Sequence, residues 1–413
     1  MVQHISVQIA IVGAGVVGLT IAEALVAEGH EVVLIDPNPP GSGASYGNAG
    51  TIADYAVMPV GTPSVLMDLP SLLFNRNSPL AIRPGALAAL TPWLTRFALQ
   101  SLPGPARRNG QAIAGLLAGA TPLWRDLAGK IGALDLFEDR GCLYLYETAA
   151  AFRAAEADMA ARHNLGVEVE LITPATLTAL EPDLPEVAGG AAFFPGSGFL
   201  TDPGAMMDRL RLVTMQHAGF LSGQVDRLTR QIDGVILEGD GFRLHARQVI
   251  LATGAHGKAL AAMAGDTVPL ETERGYHVEW DMPYPAISRP CCPTARGFYF
   301  CPMQGRLRVA GTVELGGLTA PPSQHRIDRL IEGARAFFPL LGEPDRTWLG
   351  FRPSMPDSLP VISPSRGGAD VILAFGHGHI GVTLAPITAR IVADLVAGRA
   401  PDRDITAFRA NRF

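Results

Sequence analysis

The sequence predicts an α/β protein in which one domain is assembled from separated pieces of chain and an α+β domain is inserted into it. Three observations lead there. The chain opens on a strand–glycine turn–helix–strand pattern, IVGAGVVG running on to Asp36. Two later apolar runs, before Thr253 and before Gly376, also end in glycine-bearing bends. Between them, residues 271–314 alternate as an antiparallel sheet does (YHVEW, GFYFCP, LRVAGT).

In chain order, Val7–Val12 has strand length, and Val16–Glu28 carries apolar residues at helical spacing. Gly29 ends that helix and Val32–Ile35 is a second short strand, a unit of about 30 residues. Gly41–Gly50 (GSGASYGNAG) is too polar for a strand and reads as a glycine-rich loop. From Met58 to Trp124, Pro and Gly cut short apolar segments, with helices expected over Gly85–Leu102 and Gly110–Leu127. Arg140–Glu147 reads as a strand, and Ala149–His163 and Met206–Ala218 as helices. Strands follow at Gln224–Leu228, Val235–Leu237, Gln248–Ala252 and Val371–Phe375, and a helix at Val382–Ala397. The pattern assigns residues 1–57, 196–265 and 352–413 to a Rossmann-like domain, and 58–195 and 266–351 to an inserted domain with a mostly antiparallel sheet.

With 413 residues, two domains are the default. Apolar residues at 48%, charged residues at 17% and a mean hydropathy of +0.21 describe a folded chain without large disordered tails. A net charge of −6 gives no electrostatic reason to expect nucleic acid. MVQHISVQIAIVG lacks a basic region and a cleavage site, and no stretch approaches about 18 uninterrupted apolar residues, so a cytoplasmic location is expected. Cys142, Cys291, Cys292 and Cys301 form no CxxC pair and have no His cluster beside them. They read as reduced structural cysteines, and no metal site is expected.

The opening motif is a dinucleotide site. Gly13 permits the tight turn, Gly15 lets the backbone approach a pyrophosphate, and Gly18 lets helix and strand pack closely. The helix beginning at Val16 and Val17 offers free N–H groups to phosphate. Asp36 ends the second strand, where a carboxylate can accept from both ribose hydroxyls. NAD and FAD share this half-site. Small residues at Ala252, Thr253 and Gly254 let a strand end pass close to a cofactor. The bend from Gly378 through His379, Ile380, Gly381 and Val382 to Thr383 starts a helix whose positive end could stabilise negative charge on a reduced flavin. Together the three bends favour a flavin, and no second GxGxxG unit complete with a following strand and terminal acid is found for a nicotinamide.

Candidate substrate residues come from two segments. Arg352, in TWLGFRPSMPDSLPVIS, offers a planar fork matched to a carboxylate. Tyr276 and His277, in ERGYHVEW, fall on opposite faces of a strand, so one points inward and one outward.

The fingerprint with Asp36, ASYGNAG (Ala44–Gly50), RGYH (Arg274–His277), GFRPSMPDSLPVI and GHGHIGVT together resemble the D-amino-acid oxidase superfamily. SPLAIRP (Ser78–Pro84) and GCLYLYE (Gly141–Glu147) extend the resemblance through the middle, closest to the D-amino-acid dehydrogenase small subunits. It implies noncovalent FAD, with Gly13, Gly15, Gly18 and Asp36 on the ADP half and the backbone of Val225 at the adenine. Ser45, Asn48, Ala49 and Gly50 would lie along the pyrophosphate and isoalloxazine, and Gly378–Thr383 at the flavin pyrimidine. Arg352 matches the arginine that clamps a substrate carboxylate, and Tyr276 and His277 match a substrate-side strand. The implied reaction is hydride transfer from the Cα of a D-amino acid to flavin N5, giving an imino acid and then a 2-oxo acid and ammonia. Alternatives are a cyclic or N-substituted amino acid (D-hydroxyproline, sarcosine-like, an opine), or a flavin-binding subunit that needs a partner. Electrons would pass to a quinone or O2. The apolar segment Pro59–Phe74 suits a lid, a packed insertion or peripheral contact with the inner face of a membrane.

Overall fold

The apolar run Ile9–Val12 suits a strand covered on both faces, and Gln3–Val12 lies inside a parallel sheet. The computed structural model describes residues 3–67 and 80–413. Val32–Asp36 and Phe242–Leu251 flank the first strand in parallel, Gly219–Ser222 lies outside Val32–Asp36, and Gly368–Phe375 runs parallel beside Val249–Leu251. Antiparallel strands complete it: Gly234–Gly239 beside Phe242–Leu251, Arg227–Gln231 next, and Val361–Ser365 beside Gly368–Phe375. Because side chains alternate, Ile9 and Ile11 enter one core and Ala10 and Val12 the other. The first core lies under helices Val16–Ala27, Pro203–Thr214 and Gly381–Val396. The last of these, with its preceding turn (378–396, mean hydropathy 1.4), is long and apolar enough to cross a membrane, yet 67% of it is buried inside the protein.

The second sheet runs in the order 346–354, 271–281, 306–315, 298–303, 291–293, 142–145, 191–194, 170–172. It is mixed: Cys291–Pro293 pairs in parallel with Cys142–Leu145, and Leu80–Ile82 in parallel with Val313–Leu315. Its other strand pairings are antiparallel. The parallel strand pairs join distant parts of the chain, where a hairpin cannot set the direction. Helix Gln324–Phe337 covers one face, placing Ile327, Leu330, Ile331, Ala334 and Phe337 in one core with Tyr276, Val278 and Trp280.

Several element boundaries differ from those expected. The helix expected at Gly110–Leu127 is two, Pro103–Leu117 and Ala120–Lys130, broken where Gly119 takes φ 80°. Ala149–His163 divides into Ala149–Ala154 and Glu156–Asn164. The helix expected from Met206 starts at Pro203, because Asp202 caps it by accepting from Ala205 N–H at 3.0 Å. The strand expected at Gln224–Leu228 is Arg227–Gln231 instead, preceded by Gly219–Ser222. The later part of Pro59–Phe74 lies outside the described residues.

Candidate active site

Three neighbouring parallel strands, Gln3–Val12, Phe242–Leu251 and Gly368–Phe375, deliver their carboxyl ends to one edge of the sheet. In open α/β sheets that edge is where a ligand binds. Each strand there enters one of the predicted bends. Gly13 sits at φ 103°, where a Cβ would strike the Ala252 carbonyl, and a Cβ on Gly18 would strike the carbonyl of Gly13. The two glycines therefore close the turn against helix and neighbouring strand. Above Gly15 the space is open, the nearest atom to a Cβ being Ser45 Oγ at 3.6 Å. Gly15 caps helix Val16–Ala27 with no side-chain bond of its own; Ser45 Oγ accepts from Val16 N–H at 3.0 Å, and Val17 follows in the first turn. Asp36 takes Ala14 N–H on Oδ2 and Asn38 N–H on Oδ1, each at 2.9 Å, which fixes its carboxylate at the strand end. Gly223 N–H donates to the Asp36 carbonyl at 3.1 Å, bringing the segment that leads to Val225 alongside.

The other bends complete the cradle. Ala252 N–H donates to the Val12 carbonyl at 2.8 Å, and Thr253 Oγ1 is buried without a partner just before Gly254. Gly378–Ile380 forms one tight turn, and helix Gly381–Val396 starts with no side-chain cap. Its first turn is locked by Trp124 Nε1–H to the Val382 carbonyl at 2.8 Å and by Ala53 N–H to Thr383 Oγ1 at 3.0 Å. Open space at Gly15, an uncapped N-terminus on helix Gly381–Val396, an oriented carboxylate and an orphaned hydroxyl are what a dinucleotide needs. These residues fit FAD.

The loop between the two halves is held by the second sheet. Asn48 Oδ1 accepts from Gly50 N–H at 2.8 Å, shaping Asn48–Ala49–Gly50, and Arg308 donates to the Asn48 carbonyl. His277 donates from Nδ1 to the Gly47 carbonyl at 3.0 Å and stacks on Trp348, with ring centroids 5.1 Å apart. Burial, and then the Arg308 charge, push the His277 imidazole down to about 4, so it is neutral at ordinary pH. Glu279 collects Arg308 at 2.7 Å, Arg346 at 3.0 Å and Arg306 at 3.1 Å. Burial alone would raise its carboxyl; Arg308 and the other guanidiniums outweigh that and hold it at about 2.

The structure separates the three expected substrate residues. Tyr276 is buried beside helix Gln324–Phe337, where its hydroxyl donates to Glu314 at 2.6 Å and accepts from Ser323 N–H. Arg274, from the same face, pairs with Glu314 at 2.9 Å. His277 points the other way, toward the nucleotide loop. Both are thus accounted for by contacts within the protein, as strand alternation allows but cannot assign. Arg352 stands opposite Glu273, a residue that lines the cleft. Its Nη1 donates to the Thr312 carbonyl at 2.9 Å, and its guanidinium lies across Gly275, in space that a Cβ there would fill. Thr312 has φ 58°, at a register shift where two residues of its strand oppose Gly275. That bulge turns the Thr312 carbonyl onto the guanidinium.

Beside Glu273 and Ser354 opens a small pocket. Glu273, Ser354, His377 and His379 contribute to its polar lining, and Ala56, Met58, Val60, Phe97 and Ile113 to its apolar lining. His379 is surrounded by protein yet exposed to this cleft, and burial followed by the Arg352 charge lowers its imidazole to about 4. Sequence reasoning assigned no role to Glu273, Gly275 or Thr312. A period-2 reading of ERGYHVE places Glu273, Gly275, His277 and Glu279 on one face, and that signal was present; the bulge at Thr312 left none.

A family model for FAD dependent oxidoreductases (DAO) matches residues 8–395. The chain is 33% identical to a D-amino-acid oxidase of Bradyrhizobium diazoefficiens, with 98% of each chain covered. It is 31% identical to D-amino acid dehydrogenase 2 of Ralstonia nicotianae, over 95% of this chain and 97% of that one. Among solved structures, glycine oxidase from Geobacillus kaustophilus superposes with a TM-score of 0.78 at 24% identity, covering 99% of both chains. L-proline dehydrogenase from P. horikoshii superposes at 0.76 and 20% identity, over 100% of this chain and 98% of that one. A glycine cradle shaped for a dinucleotide, a fold shared end to end and a match over nearly the whole sequence agree: the chain belongs to the DAO family of FAD dependent oxidoreductases and is an amino acid oxidoreductase.

Proposed function

We propose that this enzyme oxidises a D-amino acid to the imino acid, which water converts to a 2-oxo acid and ammonia. The observation that carries the reading is the Arg352 guanidinium, laid over Gly275 beside the pocket residue Glu273 and hydrogen-bonded to one backbone carbonyl. A guanidinium so placed matches the carboxylate of an amino acid and fixes its Cα relative to the sheet edge. FAD, when bound, supplies the two-electron acceptor for the hydride leaving Cα. The relatives named for D-amino acids support that stereochemistry. The apolar wall of Met58, Val60, Phe97 and Ile113 suits an uncharged side chain. Gly13–Val17 and Asp36 would hold the adenosine diphosphate, and the N-terminus of helix Gly381–Val396 the pyrimidine edge. The electron acceptor is proposed to be a quinone or O2, with a quinone placing the protein at the inner membrane face.

The test is an anaerobic screen of the yellow holoprotein against D- and L-amino acids, hydroxyprolines and sarcosine. D-amino acids should bleach the flavin fastest. Faster bleaching by a cyclic or N-methyl amine would reassign the substrate, and no bleaching by any of them would favour a subunit that needs a partner. Stopped-flow reoxidation with O2 beside a soluble quinone assigns the acceptor.

A further inference from the structure

Glu273 is a buried carboxylate that the reaction as described does not use. It stands directly opposite Arg352 on the neighbouring strand, lines the pocket, and is only 7% exposed. Ser354, which lines the same pocket, lies beside it. Among the described residues Glu273 closes no ion pair with Arg352, whose guanidinium leans away over Gly275 to the Thr312 carbonyl. A negative group in the pocket lining and a positive group on the neighbouring strand therefore stand next to each other without closing on one another. An α-amino acid carries the same two charges in the opposite sense, both groups bonded to Cα. Arg352 takes the carboxylate, which leaves the ammonium facing Glu273.

We propose that Glu273 binds the substrate ammonium and accepts its proton, freeing the nitrogen lone pair before the Cα–H bond breaks. This deepens the amino acid reading above and rests on it. The proton passes from nitrogen to a Glu273 carboxylate oxygen; no electrons change hands in that step. The titratable and charged groups around Glu273 are Arg352 from the adjacent strand and His377 and His379 from the turn before the last helix. Leu315, its partner on the other side, and Phe97 and Ile113 are apolar. Burial raises the Glu273 carboxyl, more than Arg352 and Ser354 lower it, which makes it a better proton acceptor than an exposed glutamate.

The experiment compares wild-type, Glu273→Gln and Glu273→Asp holoenzymes. Two readouts are used: kcat/KM against pH for the best amino acid of the screen, and binding of that amino acid's amine-free analogue, followed by flavin absorbance. Glu273→Gln should lower kcat/KM by about 100-fold and remove the acid limb of the profile. Binding of the amine-free acid should stay within about threefold of wild type. Glu273→Asp should restore part of the rate and the acid limb, which a merely structural role would not do. A Glu273→Gln enzyme that keeps both the wild-type rate and the acid limb overturns the proposal. Arg352→Ala, measured alongside, should abolish binding of the amine-free acid; if it does not, the carboxylate-clamp reading of Arg352 fails, independently of Glu273.

Discussion

Arg352 is only partly exposed, and burial works against its charge while Glu273 supports it. A guanidinium remains protonated under both influences. Arg352→Ala should lower kcat/KM by at least about 100-fold, about 3 kcal/mol, while the protein keeps its yellow cofactor. Steady-state kinetics with flavin absorbance checks both halves. His277 carries a different kind of consequence. Its imidazole falls from 6.5 to about 4 on folding, so the unfolded chain takes up a proton first as pH drops. Its contribution, up to about 3 kcal/mol, is complete above pH 6.5 and lost as pH falls toward 4. Thermal unfolding of wild type and His277→Asn across that window should show a shallower loss in the variant.

At the scale of elements, the first turn and helix stand or fall on a steric detail. A Cβ on Gly18 has nowhere to go but the Gly13 carbonyl, so Gly18→Ala must push helix Val16–Ala27 away from the strand end. Overpacking of this kind costs about 1–3 kcal/mol. The variant should purify with less FAD and a lower Tm, and added FAD should recover only part of the loss. The strand Glu271–Asp281 shows why Tyr276 and His277 could be seen but not assigned. Alternation fixes that they diverge, but which face meets the cleft depends on where helix Gln324–Phe337 packs, and that helix lies about fifty residues further along the chain. The broken helix near Gly119 has a similar cause, since Gly is tolerated inside a helical pattern and only its φ of 80° reveals the stop.

Across the whole molecule, the nucleotide loop and the second sheet are joined through charge. Glu279 gathers Arg306, Arg308 and Arg346; Arg306 also reaches Asp202 at 2.9 Å, and Arg308 the Asn48 carbonyl. Arg308→Met removes the most buried partner while Arg306 and Arg346 remain on Glu279, so the cost should fall at or below about 3 kcal/mol. It should appear as faster release of FAD, followed by flavin fluorescence on dilution, together with a lower Tm of the holoprotein. Glu279 adds acid sensitivity of its own. Its carboxyl, held at about 2, gives stability that is full above pH 4.5 and disappears as pH falls toward 2.

The sequence by itself determined the three glycine-bearing bends, the acid ending the second strand and the arginine offered to a carboxylate, because each depends on local sterics or on a fixed charge. Gly13 has to adopt a positive φ, and Asp36 has to end its strand, whatever the rest of the chain does. Tertiary structure decided which strand face looks into the cleft, that Tyr276 and His277 serve internal contacts, and that Glu273 stands beside Arg352. Those outcomes hang on sheet register, on a bulge at Thr312 and on helices packed from far along the chain, none of which leaves a periodic trace in the residues themselves.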